Sequence, residues 1–360
     1  MATFTWISAA NAAEPIVLGL SAPLSGPMAS SGQRLQEGAQ LYVDQVNARG
    51  GIGGRPLVLL PEDDRSSPLE AASVAQKFSN TKDLVAALGP FTTTASLAAA
   101  PIYTQAKIPE ISPTTSGPDF TKQGGYQFRE NNRDDYWATI NADILIERFH
   151  AKKVILVSSQ DDWGIFMDKA TRAILEKQGV QVVLDEQVEH GSRDFRPLVS
   201  KIASTPADAI FLAAYYSEGA TFMQQLRQAG VKLPVGGAIP LTDPKFIELA
   251  GPSSEGMVLY TLFFAGDPAK KAYVDAYKAK YGRLPDPFSA LSYDAVGVTV
   301  AAIDRVLKAG KVLNGQAVHD ELVNGPVYHG VTGDAKFENG DVQKQPEFIQ
   351  VKNGTYALLD

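Results

Sequence analysis

The chain has 360 residues, of which 44% are hydrophobic and 20% charged, and its mean hydropathy of −0.10 is that of an ordinary globular protein. A net charge of −7 and the lack of Lys/Arg runs argue against a nucleic-acid surface. There is no cysteine, and the four histidines (His150, His190, His319 and His329) nowhere pair at ligand spacing. Thiol catalysis and disulfides are excluded, and neither a metal centre nor a cofactor is expected.

No apolar run approaches the ~18–20 residues of a membrane-spanning helix. The length predicts two domains, because single hydrophobic cores stop growing at roughly 250–300 residues. Residues 1–14, MATFTWISAANAAE, differ in character from the rest of the chain. They read either as the tail of an export signal, with a small-residue cleavage site around Asn11, or as a disordered tag. The fold is expected to begin near Pro15.

In chain order, residues 16–22 (IVLGLSA) form a buried strand, followed by the turn-rich Pro-Leu-Ser-Gly-Pro. Leu35, Ala39, Val43 and Val46 recur at helical spacing until Gly50-Gly51 stops the helix. Residues 57–60 are the next strand, with Glu62-Asp63-Asp64 as its solvated end. Ser67-Pro68 opens a helix with proline in its first turn. A third strand, 84–88, feeds through Gly89-Pro90 into Thr92, Thr93 and Thr94. After an Ala-rich helix, the strand 108–111 ends in a second hydroxyl cluster, Thr114, Thr115 and Ser116. This alternation is the pattern of a doubly wound parallel α/β sheet. In such a sheet both hydroxyl loops leave the carboxyl ends of strands, where ligands bind. Hydroxyls and free N–H groups at a helix N-terminus suit a carboxylate, although a threonine there also serves as a plain N-cap.

The pattern breaks at 117–133, a polar Gly-rich stretch with one strand-like patch at 126–128, and the first crossover between domains is expected just after it. Arg129 and Arg133 at this crossover suit either a ligand carboxylate or a hinge ion pair. A second series comes next: helix 134–149, strand 153–158, a helix from Trp163 to Gly179, and strand 181–188. Helix 192–203, strand 209–214, helix 217–229, strand 235–239, a short helix at 244–249 and strand 257–264 complete it. Helices at 268–281, 287–307 and 315–323 precede a hairpin-like 330–340 and two short strands around Asn353-Gly354.

The stretch PLSGPMASSGQRLQEGAQLYVDQVNARGGIGGRPLVLLPEDD closely resembles the first βαβ unit of periplasmic type I solute-binding proteins. These leucine-binding-protein-like receptors serve ABC importers for branched-chain amino acids and related solutes. LVAALGPFTTTAS, IPEISPTTSGP, the Asp-Asp-Trp-Gly loop, LTDPKFIELAG, YGRLPDPFSALSYDAV and FENGD occur in the family's order, extending the resemblance from Ile16 to the C-terminus. It implies two doubly wound lobes joined by three crossovers and closing by a hinge. Lobe 1 is expected at 15–133 plus 264–340, and lobe 2 at 134–263 plus 341–360. It also implies a periplasmic monomer that partners an ABC importer permease.

The resemblance implies a site as well. Phe91, Thr92 and Thr93 fall on the residues that hold the ligand carboxylate, and Thr114, Thr115 and Ser116 on the second contact loop. Trp163 falls on the aromatic that closes over the ligand, with plain packing as the alternative. Tyr215 is the matching tyrosine of the second lobe, and Ser31 stands where some members carry a first-loop tyrosine. Amino-acid-binding members place an acid in the loop that here reads Gly-Gly-Ala-Ile-Pro, so Ile239 replaces the partner of an α-ammonium. An ammonium buried without a counter-charge is penalised by several kcal/mol. Asp161 and Asp162 read as a solvated helix start, and otherwise as the substitute partner.

No nucleophile elbow or dinucleotide fingerprint occurs, which argues for binding without catalysis. The expected ligand is an aromatic carboxylate of benzoate or phenylpropanoid type. The alternatives are a branched-chain or other aliphatic amino acid and then a short-chain acid or amide. A sensor subunit or an enzyme ranks lower.

Overall fold

The computed structural model describes residues 14–359, so the expected signal remnant lies outside the described residues except for Glu14. Five strands form the first sheet: β1 (Ile16–Ala22), β2 (Leu57–Asp63), β3 (Leu84–Leu88), β4 (Glu110–Ser112) and β5 (Gln127–Arg129). They pair in the order β2-β1-β3-β4-β5, all parallel. Apolar runs such as LVAAL in β3 are buried throughout, as expected of strands covered on both faces. The crossovers carry α1 (Ala29–Ala48), α2 (Pro68–Ser79) and α3 (Thr93–Ala106). Ser67 and Thr92 cap α2 and α3 by accepting from the backbone N–H three residues on.

After β5 the chain crosses to a second, seven-stranded sheet. It holds α4 (Asp134–Asp143), β6 (Lys153–Ser159), α5 (Asp162–Lys177), β7 (Gln181–Val188), α6 (Arg196–Ala203) and β8 (Ala209–Ala213). Then come α7 (Tyr216–Gln228), β9 (Val235–Gly237), α8 (Pro244–Ala250) and β10 (Val258–Thr261). The chain returns to the first lobe as α9 (Lys271–Tyr281), α10 (Pro287–Lys308), α11 (Gly315–Asn324) and a hairpin, β11 (Tyr328–Gly330) and β12 (Gly333–Ala335). Finally β13 (Glu347–Lys352) and β14 (Thr355–Leu358) extend the second sheet antiparallel, in the order β14-β13-β10-β9-β8-β6-β7. α10 packs along α1, and Gly38 permits the approach, because a Cβ there would sit 1.9 Å from the Ser289 carbonyl oxygen.

Several expectations change. β9 stops at Gly237, and Ile239 enters a 3₁₀ turn, since Pro240 has no N–H to donate to a ladder. The helix expected at 134–149 widens into a π turn at Ile144–Arg148. α6 starts at Arg196 rather than 192, because Gln225 holds the preceding loop through Phe195 N and Arg193 O. Asp64 is not solvated: it is buried, accepting from the Ser21 hydroxyl at 2.7 Å and Ser66 N at 2.8 Å.

Two crossings are riveted together at the hinge. Lys344 pairs with Glu130 at 2.5 Å, both side chains fully buried. Asn132 meanwhile bonds both the carbonyl and the N–H of Lys344. Asp341 holds Arg129 at 2.7 Å and Arg133 at 3.3 Å, so these arginines take the hinge role rather than the ligand role.

Candidate functional site

The two sheets present their carboxyl ends to a common cleft, and its walls come from both. From the first lobe, β3 ends at Gly89, whose φ of +86° and contact with the Ser21 carbonyl admit only glycine, and delivers Phe91, Thr92 and Thr93. β4 delivers Thr114 and Ser116. From the second lobe come Trp163 and Met167 on α5, Tyr215 after β8, and Ala238, Ile239 and Pro240 after β9. The remaining wall is Asn131, Trp137, Tyr260, Phe288 and Leu291, which sequence reasoning missed. Asn131 falls in the polar stretch read as a crossover, and Trp137, Tyr260, Phe288 and Leu291 fall inside expected helices and a strand, where nothing local marks a side chain as facing a cleft.

The hydroxyls are not equivalent. Thr93 Oγ1 accepts from Gly117 N at 3.3 Å, which leaves its O–H free to donate. Thr92 Oγ1 accepts from Ala95 N and is likewise free to donate. Thr114 donates its proton to the Phe91 carbonyl at 2.6 Å, so toward the cavity it offers only lone pairs. The first loop can therefore hold a carboxylate, together with the first-turn N–H groups of α3, while Thr114 braces that loop. Thr115 does not line the cavity: its hydroxyl is buried against Ser96 Oγ at 2.6 Å, beneath the floor.

Ser31 does not line it either. Ser31 Oγ donates to Asp243 Oδ2 at 2.8 Å, and Ser30 Oγ to Oδ1 at 3.0 Å, so the start of α1 grips the loop before α8 across the cleft. Thr94 Oγ1 accepts from Asp162 N at 3.3 Å, a second bridge. The lobes are closed. Between them the cavity offers about 40 Å³ to the centres of water-sized spheres, room for a few waters.

Aromatic rings dominate. Trp163 and Tyr215 lie 5.0 Å apart, Phe91 and Phe288 5.2 Å in an edge contact, and Trp137 stacks on Tyr260 at 4.7 Å. Trp163 thus packs into the cavity wall from the second lobe. Tyr215 and Tyr216 point to opposite sides, the first into the cleft and the second into the second-lobe core. Asp161 is not a solvated turn: it accepts from the Tyr215 hydroxyl at 2.7 Å and caps α5 through Gly164 N at 2.8 Å. Burial raises its pKa above the usual carboxylate range. His190 packs its ring edge-on to Tyr215 and pairs with Glu218 at 2.8 Å.

Among the described residues that line the cavity, none is acidic or basic. A carboxylate would be held by neutral donors at one end, with aromatic and aliphatic walls around the rest.

The model of the periplasmic binding protein family matches residues 15–355. The chain belongs to this family. A Leu/Ile/Val-binding protein homolog of Brucella melitensis is 30% identical over 354 residues, covering 95% of this chain and 94% of that protein. The branched-chain amino acid transporter substrate-binding protein LivJ of Streptococcus pneumoniae, solved with isoleucine, is 30% identical with a TM-score of 0.89. That match covers 96% of this chain and 99% of LivJ. A solute-binding protein of Rhodopseudomonas palustris, solved in complex with benzoate, shares the fold at a TM-score of 0.87 and 21% identity, over 96% of this chain and 95% of that one.

This binding protein is therefore a solute receptor of an ABC importer working outside the cytoplasm, and not an enzyme. Among the described residues no helix is long and apolar enough to cross a membrane, and no group of three or more metal-ligating side chains is positioned around an ion.

Proposed function

We propose that the cleft captures an aromatic carboxylate of benzoate or phenylpropanoid type and delivers it to the importer permease. The observation that carries this reading is the polarity of the cavity: hydroxyl and N–H donors at the Thr92–Thr93 end, six aromatic rings elsewhere, and Ile239 where an ammonium partner would stand. An aryl carboxylate satisfies the donors and buries its ring against Trp163, Tyr215 and Phe288 without introducing a second charge. Phe91, Thr92, Thr93, Ser116, Trp163, Tyr215 and Ile239 are the contact residues of this reading, and Thr114 acts through Phe91. The lobe boundaries proposed, 15–133 plus 264–340 and 134–263 plus 341–360, are supported by the division of strands between the two sheets. The chain is further proposed to act as a monomer.

A second reading is a branched-chain amino acid, favoured by the relatives at 30% identity, whose names specify Leu/Ile/Val binding or a complex with isoleucine. Thermal shift distinguishes the two. Benzoate-type acids are expected to raise the melting temperature and leucine to leave it unchanged; a shift with leucine alone overturns the aromatic-acid reading. Native mass spectrometry of the purified protein identifies any ligand it carries.

A further inference from the structure

A second cavity is built from the same two segments as the ligand cavity. It offers about 520 Å³, within the roughly 300–1,000 Å³ of sites that hold small molecules. From the second lobe Thr242 and Pro244 line it, and the same loop gives Ala238, Ile239 and Pro240 to the ligand cavity. From the first lobe Leu284, Pro285 and Pro287 line it, and α10 continues with Phe288 and Leu291 in the ligand cavity. The ion pairs Arg283–Glu37 and Arg34–Asp286 fasten this first-lobe segment to α1. Ile247 on α8 and Tyr356 on β14 extend the second-lobe wall, and Phe263 and Phe264 add two rings at the second crossing.

The chemistry of an occupant follows from which wall atoms are spent. Thr242 Oγ1 donates to the Ile239 carbonyl at 2.7 Å, the Tyr356 hydroxyl to the Leu241 carbonyl at 2.5 Å, and Thr355 Oγ1 to the Lys352 carbonyl at 3.1 Å. Arg34 faces Asp286 at 3.4 Å and Arg283 pairs with Glu37, so an entering ion would have to break an existing pair. What remains is apolar, with Leu284 55% exposed at the rim.

We infer that this cavity is a second binding site, for an uncharged apolar molecule of one or two rings, and that its occupancy holds the lobes closed on the cleft ligand. Its two walls meet across the contacts of Ser30 and Ser31 with Asp243, which stands between the lining residues Thr242 and Pro244. An occupant touching both walls binds the closed form better than the open one, and that difference shifts the equilibrium toward closure. Reciprocity then requires the cleft ligand to tighten the second site by the same factor. The inference rests on closure about a cleft and not on the ligand being an aromatic acid.

Indole, uncharged and apolar, is the probe. Calorimetric titration is expected to show one indole per chain, bound about fivefold more tightly when the cleft is saturated with benzoate or leucine, whichever raises the melting temperature. In the ligand-free protein, saturating indole should shrink the radius of gyration in solution scattering, a readout that needs no cleft ligand. Leu284→Glu charges the exposed rim and Ile247→Trp places a ring in the space from the other lobe; each should weaken indole about tenfold. Indole that competes with the cleft ligand, or that binds both variants as it binds the unaltered protein, sits elsewhere and overturns the inference. So does the absence of indole binding, an affinity indifferent to the cleft ligand, or an unchanged radius. Failure of both benzoate and leucine to bind counts against the ligand readings above, while scattering and the two variants still decide this one.

Discussion

Ser31 Oγ and Asp243 Oδ2 meet at 2.8 Å across the ligand cleft, one from the first lobe and one from the second. Asp243 is buried, and burial holds its pKa above the usual value against the hydrogen bonds of Lys245 N, Ser31 and Ser30. Hydrogen bonds to a charged acceptor contribute about 1.5–3 kcal/mol, and this one exists only when the lobes are closed. Ser31→Ala is therefore expected to lower ligand affinity about tenfold by favouring the open form. Scattering of the ligand-free variant should show a larger radius of gyration than the unaltered protein. Asp243 also caps α8 through Lys245 N, so the serine is the cleaner substitution.

Thr93 and Thr114 should separate in the same assay. Thr93→Ala removes a free O–H donor from the carboxylate end and is expected to weaken benzoate binding about tenfold. Thr93→Ser should restore it. Thr114→Val removes a brace whose proton is already committed to Phe91, and a smaller loss is expected. Unchanged affinity in Thr93→Ala would place the anion elsewhere.

The His190–Glu218 pair sets a pH window. For Glu218, burial alone would raise the pKa, but His190, Ser217 and Gly191 N hold it down to about 2. A carboxylate depressed in the folded state contributes stability that is present above its unfolded value, ~4.3, and lost as pH falls toward the folded one. His190 is raised, chiefly by its bond to Glu218. Its contribution is present below ~6.5 and lost as pH rises through the higher folded value. The pair is complete between these limits. Glu218→Gln should flatten the melting-temperature profile on the acid side and return the His190 titration, read by NMR, toward its ordinary value.

Lys344 and Glu130 tie the first and third crossings from inside the protein. Removing one member of a buried pair strands the other charge and costs about 3–5 kcal/mol. Lys344→Met is expected to lose stability in that range by urea unfolding. Lys344→Met with Glu130→Leu should recover most of the loss, because no uncompensated charge remains.

How far the sequence could be read depends on how local each signal is. The strands and helices of both lobes emerge from apolar runs, helical spacing, and stops such as Gly50-Gly51 and Gly179. The hydroxyl loop of Thr92 and Thr93 is legible at a strand end, where a parallel sheet exposes its loops, whereas Phe91, Trp163 and Tyr215, which line the cavity, were pointed to by the family resemblance. Ser31 and Thr115 could not be placed, since a hydroxyl in a loop has the same local signature whether it meets ligand, another hydroxyl or the opposite lobe.

Composition and periodicity alone determined a doubly wound α/β chain, and the dispersed motifs its family. Only the tertiary structure decided which polar groups are spent. Thr114 is committed to Phe91, Asp161 to Tyr215, and Arg129 and Arg133 to Asp341. The physical reason is that a hydrogen bond or ion pair depends on angstrom-scale approach between residues distant in sequence. Periodicity reports which face a side chain occupies, but not the partner it meets there.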